Sequence, residues 1–296
     1  MSYREFFVSS SPVFSGSQRA YEEAHYAIFG VPLDVSSTYR SGARFAPLAI
    51  REASLNIETY SFRAAIDIED LKLHDLGDLH VSGDVDETLK RLELVVKDIL
   101  SAGKMLVAIG GEHTVTLGMV HGVGSDVAVV SLDAHLDLRN EYLGRNVSHA
   151  TFMRRLHENI DPEKIIEIGT RAVCKEELDY AKNAGIEFLT AHQIRSDGIE
   201  KTVEKVKEAL SSCERTYLTI DMDVLDPAFA PAVQNPEPEG LSMDALLDIL
   251  CAVCDRRVVA FDLVEVAPHY DQGITAIQAA KTIFEALGHI EKARKG

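Results

Sequence analysis

Short apolar runs rich in β-formers recur along the chain at Tyr26–Phe29, Met105–Ile109, Val127–Leu132, Ile165–Ile168, Thr216–Ile220 and Val258–Leu263, with longer stretches of helical periodicity between them. Between the first two, Val85, Leu89, Leu92, Val96 and Ile99 return at intervals of three and four. That spacing belongs to a helix burying one face, and Gly103 marks where it stops. The strand runs are nearly continuous in apolar residues instead of alternating, so both faces of each strand are expected to be covered. Strand and helix in alternation then predict an α/β fold of three layers (αβα) around a central, mostly parallel sheet. No repeat, low-complexity tract or linker divides the chain, and residues 1–296 are read as one domain. Residues 1–20, rich in serine, are expected to form a loosely ordered arm.

In sheets of this kind ligands bind beyond the carboxyl ends of the strands. The run ending at Leu132 is followed by Asp133-Ala-His135-Leu-Asp137, the run ending at Ile220 by Asp221-Met-Asp223, and the run ending at Ile109 by Gly110-Gly-Glu-His113. In extended backbone, alternate residues project to one side, so each cluster aims its polar groups together. An isolated Asp-x-Asp after a strand is an ordinary turn or helix cap. Three such clusters at three strand ends point to metal instead. Four aspartates and two imidazoles, with no thiolate, suit Mn²⁺ or another borderline-hard divalent ion. So many carboxylates leave excess charge around one cation, which favours two, roughly 3.5–4 Å apart and bridged by an aspartate. Glu265, just past Leu263, brings a carboxylate to the same edge where it can grip a cation. His149 has a near-neutral pKa suited to proton transfer, although by position it reads equally well as a loop histidine.

Composition narrows the partners. The formal charge of −17 argues against nucleic acid, which needs clustered Lys and Arg, and is compatible with a small cationic ligand. No apolar run approaches the roughly 18 residues of a membrane span, and the N-terminus lacks the apolar stretch of a signal peptide. Four cysteines are too few for a disulfide scaffold of this size, so a cytoplasmic setting is expected. Cys251 and Cys254 read as core residues one turn apart, Tyr60 and Phe62 as core aromatics, and His80 and His269 as candidates for the mouth of the site.

The chain resembles the arginase/agmatinase (ureohydrolase) family from about residue 26 to 285. The resemblance rests on Gly30-Val-Pro-Leu-Asp, Tyr39-Arg-Ser-Gly-Ala-Arg-Phe-Ala-Pro47, Ile50-Arg-Glu-Ala-Ser54, Gly110-Gly-Glu-His-Thr, Asp133-Ala-His-Leu-Asp-Leu-Arg139, Asp221-Met-Asp-Val-Leu-Asp-Pro-Ala-Phe-Ala-Pro231 and Glu265-Val-Ala-Pro. It implies an arginase-like sheet of eight strands and two Mn²⁺ per subunit. One ion would be held by His113, Asp133, Asp137 and Asp221, the other by His135, Asp133, Asp221 and Asp223. It also implies that His149 shuttles protons together with Asp137, that Glu265 binds the guanidinium, and that the subunits form a trimer or hexamer. The implied reaction is hydrolysis of a small cationic guanidino compound to urea and an amine.

Asp137-Leu-Arg-Asn-Glu-Tyr, closing on Ser148-His149, resembles agmatinases, which favours agmatine giving putrescine. Arg145 and Asn146 are candidates to engage a carboxylate, which keeps arginine and guanidino acids in view. Where the family commonly has Gly-Thr-Pro-Glu-Pro, this chain has Gln234-Asn-Pro-Glu-Pro238. Asn235 is therefore a candidate hydrogen-bond partner for substrate in place of the family's threonine, and the change also leaves room for a metal-binding regulatory homologue without turnover. A metallophosphoesterase fits poorly, because the histidine cluster precedes Asp-x-His and no His-x-His occurs.

Overall fold

The computed structural model of the chain describes residues 3–9 and 12–296. Its strands in chain order are β1 (Val8–Ser9), β2 (Tyr26–Val31), β3 (Tyr60–Ser61), β4 (Ile66–Asp67), β5 (Leu73–Leu79), β6 (Met105–Gly110), β7 (Ala128–Leu132), β8 (Lys164–Thr170), β9 (Glu187–Thr190), β10 (Thr216–Asp221) and β11 (Val258–Val264). The helices are α1 (Tyr3–Phe7), α2 (Ala46–Ser54), α3 (Val85–Ser101), α4 (Val115–Val123), α5 (Phe152–Asn159), α6 (Lys175–Ala184), α7 (Ala191–Asp197), α8 (Ile199–Ala209), α9 (Met243–Val253) and α10 (Ile274–Lys295).

The main sheet runs β1-β5-β2-β6-β11-β10-β7-β8-β9. Eight of its strands are parallel, as expected, and the two-residue β1 adds an antiparallel pair on the edge of β5. Strands β3 and β4 form a separate ribbon. Alternate residues of each parallel strand enter opposite cores. Met105, Val107 and Ile109 join α2, α7, α8, α9 and α10 on one face. Leu106 and Ala108 join α3, α4, α5 and α6 on the other. The result is the three-layer arrangement that the uninterrupted apolar runs require.

Helix α3 shows how local signals agree with burial. The Asp84 carboxylate accepts from Asp86 N and Glu87 N at the start, and Gly103 turns the chain at φ 71° after the end. Its apolar stripe is fully buried at Leu92, Val96 and Ile99, each contributing roughly 1.5–3 kcal/mol.

Of the first 20 residues, expected as a loose arm, Tyr3–Phe7 form α1 and β1 pairs with β5. Phe14 is fully buried against the edge of the Phe284 ring and donates its N–H to Asp75 Oδ2 at 2.8 Å. Residues 1, 2, 10 and 11 of that arm lie outside the described residues. Three minor expectations are corrected. Cys254 is buried but Cys251 is exposed, because α9 turns it toward solvent. Phe62 stands 92% exposed at the turn between β3 and β4, and Tyr60 beside it is exposed as well.

The connection from β6 to β7 leaves space between them that β10 and β11 later fill, so β6, β11, β10 and β7 lie side by side at the centre. Their carboxyl ends open on one crevice, the place where such sheets bind ligands.

Candidate metal centre and cavity

Register sets the first contacts. Ile220 pairs with Leu132 and Asp221 with Val264, so Asp133, Asp221 and Glu265 arrive within one row of each other at the ends of three neighbouring strands. The fourth strand, β6, runs on through Gly111, where a Cβ would meet Leu33 O at 1.9 Å. Only glycine permits that approach. Glu112 N donates to Leu33 O at 2.8 Å, and His113 N donates to Glu265 Oε1 at 2.6 Å.

Three aspartates share one device. In each, Oδ1 is anchored by a backbone amide: Asp133 by His135 N at 2.6 Å, Asp221 by Asp223 N at 2.7 Å, Asp223 by Ala134 N at 3.1 Å. Each then presents Oδ2 to an imidazole. His113 Nδ1 faces Asp133 at 3.0 Å and Asp221 at 3.2 Å, with Asp137 Oδ2 at 3.6 Å. His135 Nδ1 faces Asp223 Oδ2 at 3.1 Å and Asp133 Oδ1 at 3.4 Å. Two groups, His113/Asp133/Asp221 and Asp133/His135/Asp223, thus bring ligand atoms within 4.8 Å of one another, with Asp133 common to both.

Whether this donor set fits cations is answered by its hydrogen bonds. His113 Nδ1 is fully buried and has no hydrogen-bond partner, although three carboxylates surround it. The oxygens converge on a shared point instead of aligning with a ring N–H. Electrostatics agree. Burial opposes charge on His113, yet Asp133, Asp137 and Asp262 outweigh it and lift the imidazole to about 9. Burial, then Asp133, pushes Asp137 well above the usual carboxylate range, and burial, then Asp223 and Asp133, does the same to Asp221. Such crowded carboxylates ionise together when cations stand among them, and the residues present suit two divalent ions.

Around the clusters lies a cavity of about 470 Å³, lined by His135, Asp137, Asp221, Asp223, Glu265, His149 and Asn235 among others. Glu265 is 1% exposed, and its Oε2 has no partner. Its backbone adopts φ 69°, costly for a residue with a Cβ. The conformation is held on both sides, by Glu265 N to Gly111 O at 2.8 Å and Gln234 N to Glu265 O at 3.1 Å. Burial, then Asp221, raises the Glu265 carboxyl well above its ordinary value.

His149 is fixed by residues the sequence did not single out. Ser36 Oγ lies 2.8 Å from Glu112 Oε1, 3.0 Å from His149 Nδ1 and 3.0 Å from His149 N. The carboxylate only accepts, so the single hydroxyl proton goes to it. Nδ1–H and the backbone N–H both donate to Ser36, leaving the Nε2 lone pair 3.4 Å from Thr38 Oγ1, where Thr38 also lines the cavity. Burial lowers the His149 pKa, so the ring rests neutral at pH 7.

Asn235 and Gln234 divide the departure seen in the sequence. Gln234 is buried, and its Nε2 donates to Asp34 Oδ1, Ser37 Oγ and Arg40 O, tying two loops together. Asn235 lines the cavity. The candidates Arg145 and Asn146 do not: both are exposed, and the Arg145 backbone pairs with Tyr142 in a tight turn. His80 and His269 also lie off the cavity, His269 stacking on Phe45.

Two arginines that do line the cavity are already committed. Arg171 donates to the backbone carbonyls of Gly169, Asp223, Val224, Leu225, Glu237 and Pro238, at 2.6–3.3 Å. Arg139 stands 3.7 Å from Glu177 and lies over the Tyr142 ring. Arg139, at the end of the motif of residues 133–139, reads from the sequence as a supporting residue and not a substrate ligand, whereas Arg171 carries no sign of its role, which depends on loops far apart in the chain.

A model described as the arginase family matches residues 24–288. An agmatinase of Bacillus anthracis is 37% identical over 287 residues, covering 94% of this chain and 96% of that protein. An N(1)-aminopropylagmatine ureohydrolase of Thermococcus kodakarensis is 35% identical, covering 92% of each. The crystal structure of agmatine ureohydrolase of Thermoplasma volcanium superposes with a TM-score of 0.90 at 36% identity, covering 97% of each chain.

Proposed function

Since the chain belongs to the arginase family, we propose that it is an amidinohydrolase that cleaves agmatine to urea and putrescine. One observation carries the substrate assignment. The cavity joins two His/Asp clusters to a buried, free carboxylate oxygen on Glu265, while both lining arginines are already engaged. Such a site suits a guanidinium, and among the described residues neither lining arginine is free to hold a substrate carboxylate.

In this reading His113, Asp133, Asp137 and Asp221 hold one divalent ion, and His135, Asp133, Asp221 and Asp223 hold the other. A carboxylate-rich set with two imidazoles and no thiolate favours manganese. When bound, the two ions supply a nucleophile drawn from water at neutral pH.

The chain's own residues do the rest. Glu265 accepts hydrogen bonds from the guanidinium at Oε2 and fixes its planar carbon toward the clusters. Asp137 takes up the proton released as the nucleophile adds. The His149 Nε2 lone pair takes up that proton in turn and passes it to the nitrogen of the breaking C–N bond, so putrescine leaves as a neutral amine at that nitrogen. The Ser36 and Glu112 contacts keep Nε2 turned to the cavity during this transfer. Asn235, which lines the cavity, is the proposed hydrogen-bond partner for substrate.

We further propose that residues 1–296 act as one catalytic unit that assembles as a trimer or hexamer in the cytoplasm. The exposed Tyr39, Phe45, Tyr270, Ile274 and Ile277 support an interface between copies, and four unpaired cysteines support a reducing setting. Light scattering tests the assembly.

Glu265→Gln tests the catalytic reading. The variant is expected to bind manganese like the wild type and to lose urea release from agmatine by at least about 100-fold, because a neutral amide does not offset the guanidinium charge. Full activity in Glu265→Gln overturns the assignment.

A further inference from the structure

The cavity has a second carboxylate with free oxygens, away from the clusters. Of the lining glutamates, Glu177 is engaged, accepting from Leu138 N at 3.2 Å and Cys174 N at 3.0 Å beside Arg139. Glu237 differs. Among the described residues no hydrogen bond or ion pair engages its side chain. Its main chain, in contrast, is fixed, because Arg171 Nη2 holds the Glu237 carbonyl at 2.9 Å and Arg171 Nε holds that of Pro238 at 2.9 Å. The half-buried Glu237 therefore stands at the wall of the cavity on a rigid base with an uncommitted negative charge.

Gln234 N bonds Glu265 O at 3.1 Å, and Glu237 follows three residues later, so both glutamates line the one cavity from neighbouring segments. Two carboxylates with free oxygens on one cavity match a dication with a guanidinium at one end and an ammonium at the other. Arg171 spends its N–H groups on six carbonyls and acts on the Glu237 carboxylate only through its charge, and Arg139 pairs with Glu177.

We infer that Glu237 receives the distal ammonium of the substrate and so selects guanidines carrying a second positive charge over neutral or carboxylate-tailed ones. The assignment rests on the amidinohydrolase reading above. Glu237 acts as a specificity-determining residue and touches no reacting atom. A charge-assisted contact at a half-exposed site is screened by water and salt, so its removal changes discrimination by about tenfold.

The test compares manganese-loaded wild type and Glu237→Gln on agmatine, on 4-hydroxybutylguanidine, which replaces the ammonium by a hydroxyl, and on 4-guanidinobutyrate. For Glu237→Gln, KM for agmatine is expected to rise about tenfold with kcat nearly unchanged, while kinetics on 4-hydroxybutylguanidine stay as in the wild type. Glu237→Lys is expected to shift preference toward 4-guanidinobutyrate. Inhibition by putrescine gives a readout without turnover, and should weaken about tenfold in Glu237→Gln while inhibition by n-butylamine does not change. An unchanged ratio of agmatine to hydroxyl analogue, or an equal loss on both, overturns the Glu237 assignment while leaving the hydrolase reading intact. Absence of urea from every guanidine in the wild type overturns the hydrolase reading itself.

Discussion

The Thr219 hydroxyl lies 2.8 Å from His113 Nε2 and 2.5 Å from Asp262 Oδ1. Asp262 also accepts from Thr116 at 2.8 Å and from Tyr217. With its proton given to the carboxylate, Thr219 accepts from Nε2–H, so Nδ1, facing Asp133 and Asp221, is the nitrogen that gives up its proton when a cation binds. The ring is thus set in the tautomer a metal needs by residues that do not touch the metal point. Thr219→Val keeps the volume and removes the acceptor. Manganese affinity is expected to fall roughly 10- to 100-fold, and the metal-free protein to melt lower, because the buried Asp262 and His113 Nε2–H each lose a partner. Titration of the metal-free protein with Mn²⁺ checks it, and an unchanged Kd removes Thr219 from the account.

Ser36 does for His149 what Thr219 does for His113. Ser36→Ala deletes the acceptor of Nδ1–H and the donor to Glu112, so the ring loses both its tautomer and its orientation. Steady-state kinetics on agmatine should show kcat lower by about tenfold with KM within about twofold, since proton delivery and not binding is affected. kcat/KM then falls by nearly the same factor, and a rise in KM at constant kcat contradicts the assignment.

Arg171 ties the segments 223–225 and 237–238 to Gly169 through six carbonyls. Lysine has one nitrogen and no planar fork, so Arg171→Lys leaves several of these acceptors without partners. At about 0.5–1.5 kcal/mol per lost hydrogen bond, a destabilisation of roughly 2–4 kcal/mol is expected. Thermal unfolding should register it as a fall of several degrees in Tm. The same variant should also raise KM for agmatine, because Glu237 loses its fixed base.

His289 is buried in α10 with no partner at Nε2, and burial lowers its pKa, opposed by Glu285 and reinforced by Lys292 and Arg63. The folded protein thus holds this ring neutral, while the unfolded chain protonates near pH 6.5. Below that pH the unfolded state binds the additional proton, so stability falls as the solution is acidified. His289→Leu removes this component. Between pH 7 and pH 5 the variant should lose less Tm than the wild type, and parallel losses contradict the proposal.

The parts legible in the sequence were those written locally. Apolar runs announced six of the eight parallel strands, and the aspartates directly after them marked the crevice. Strand β5 was missed because Leu73–Leu79 carries His74, Asp75 and Asp78 among its leucines. Those acids are there for Arg51, fully buried, which bonds Asp75 at 2.7 Å and Asp78 at 2.6 Å from 24 and 27 residues away. Strand β9 was missed because its four residues, Glu187–Thr190, form an edge without a fully buried side chain. Ser36, Thr219, Asp262 and Arg171 gave no signal of their own, since a serine 113 residues from its histidine has no periodicity to betray it. Gln234 stood out in the sequence as a departure, and its purpose became readable once Asp34, Ser37 and Arg40 were found around its amide.

The central claim is that this cavity, loaded with two divalent cations, hydrolyses a guanidine carrying a distal positive charge. Urea release by manganese-loaded protein, offered agmatine, arginine, 4-guanidinobutyrate and 3-guanidinopropionate separately beside a metal-stripped control, tests it most directly. The account predicts metal-dependent urea with agmatine preferred, and urea from none of the four, or preference for a carboxylate-bearing substrate, contradicts it.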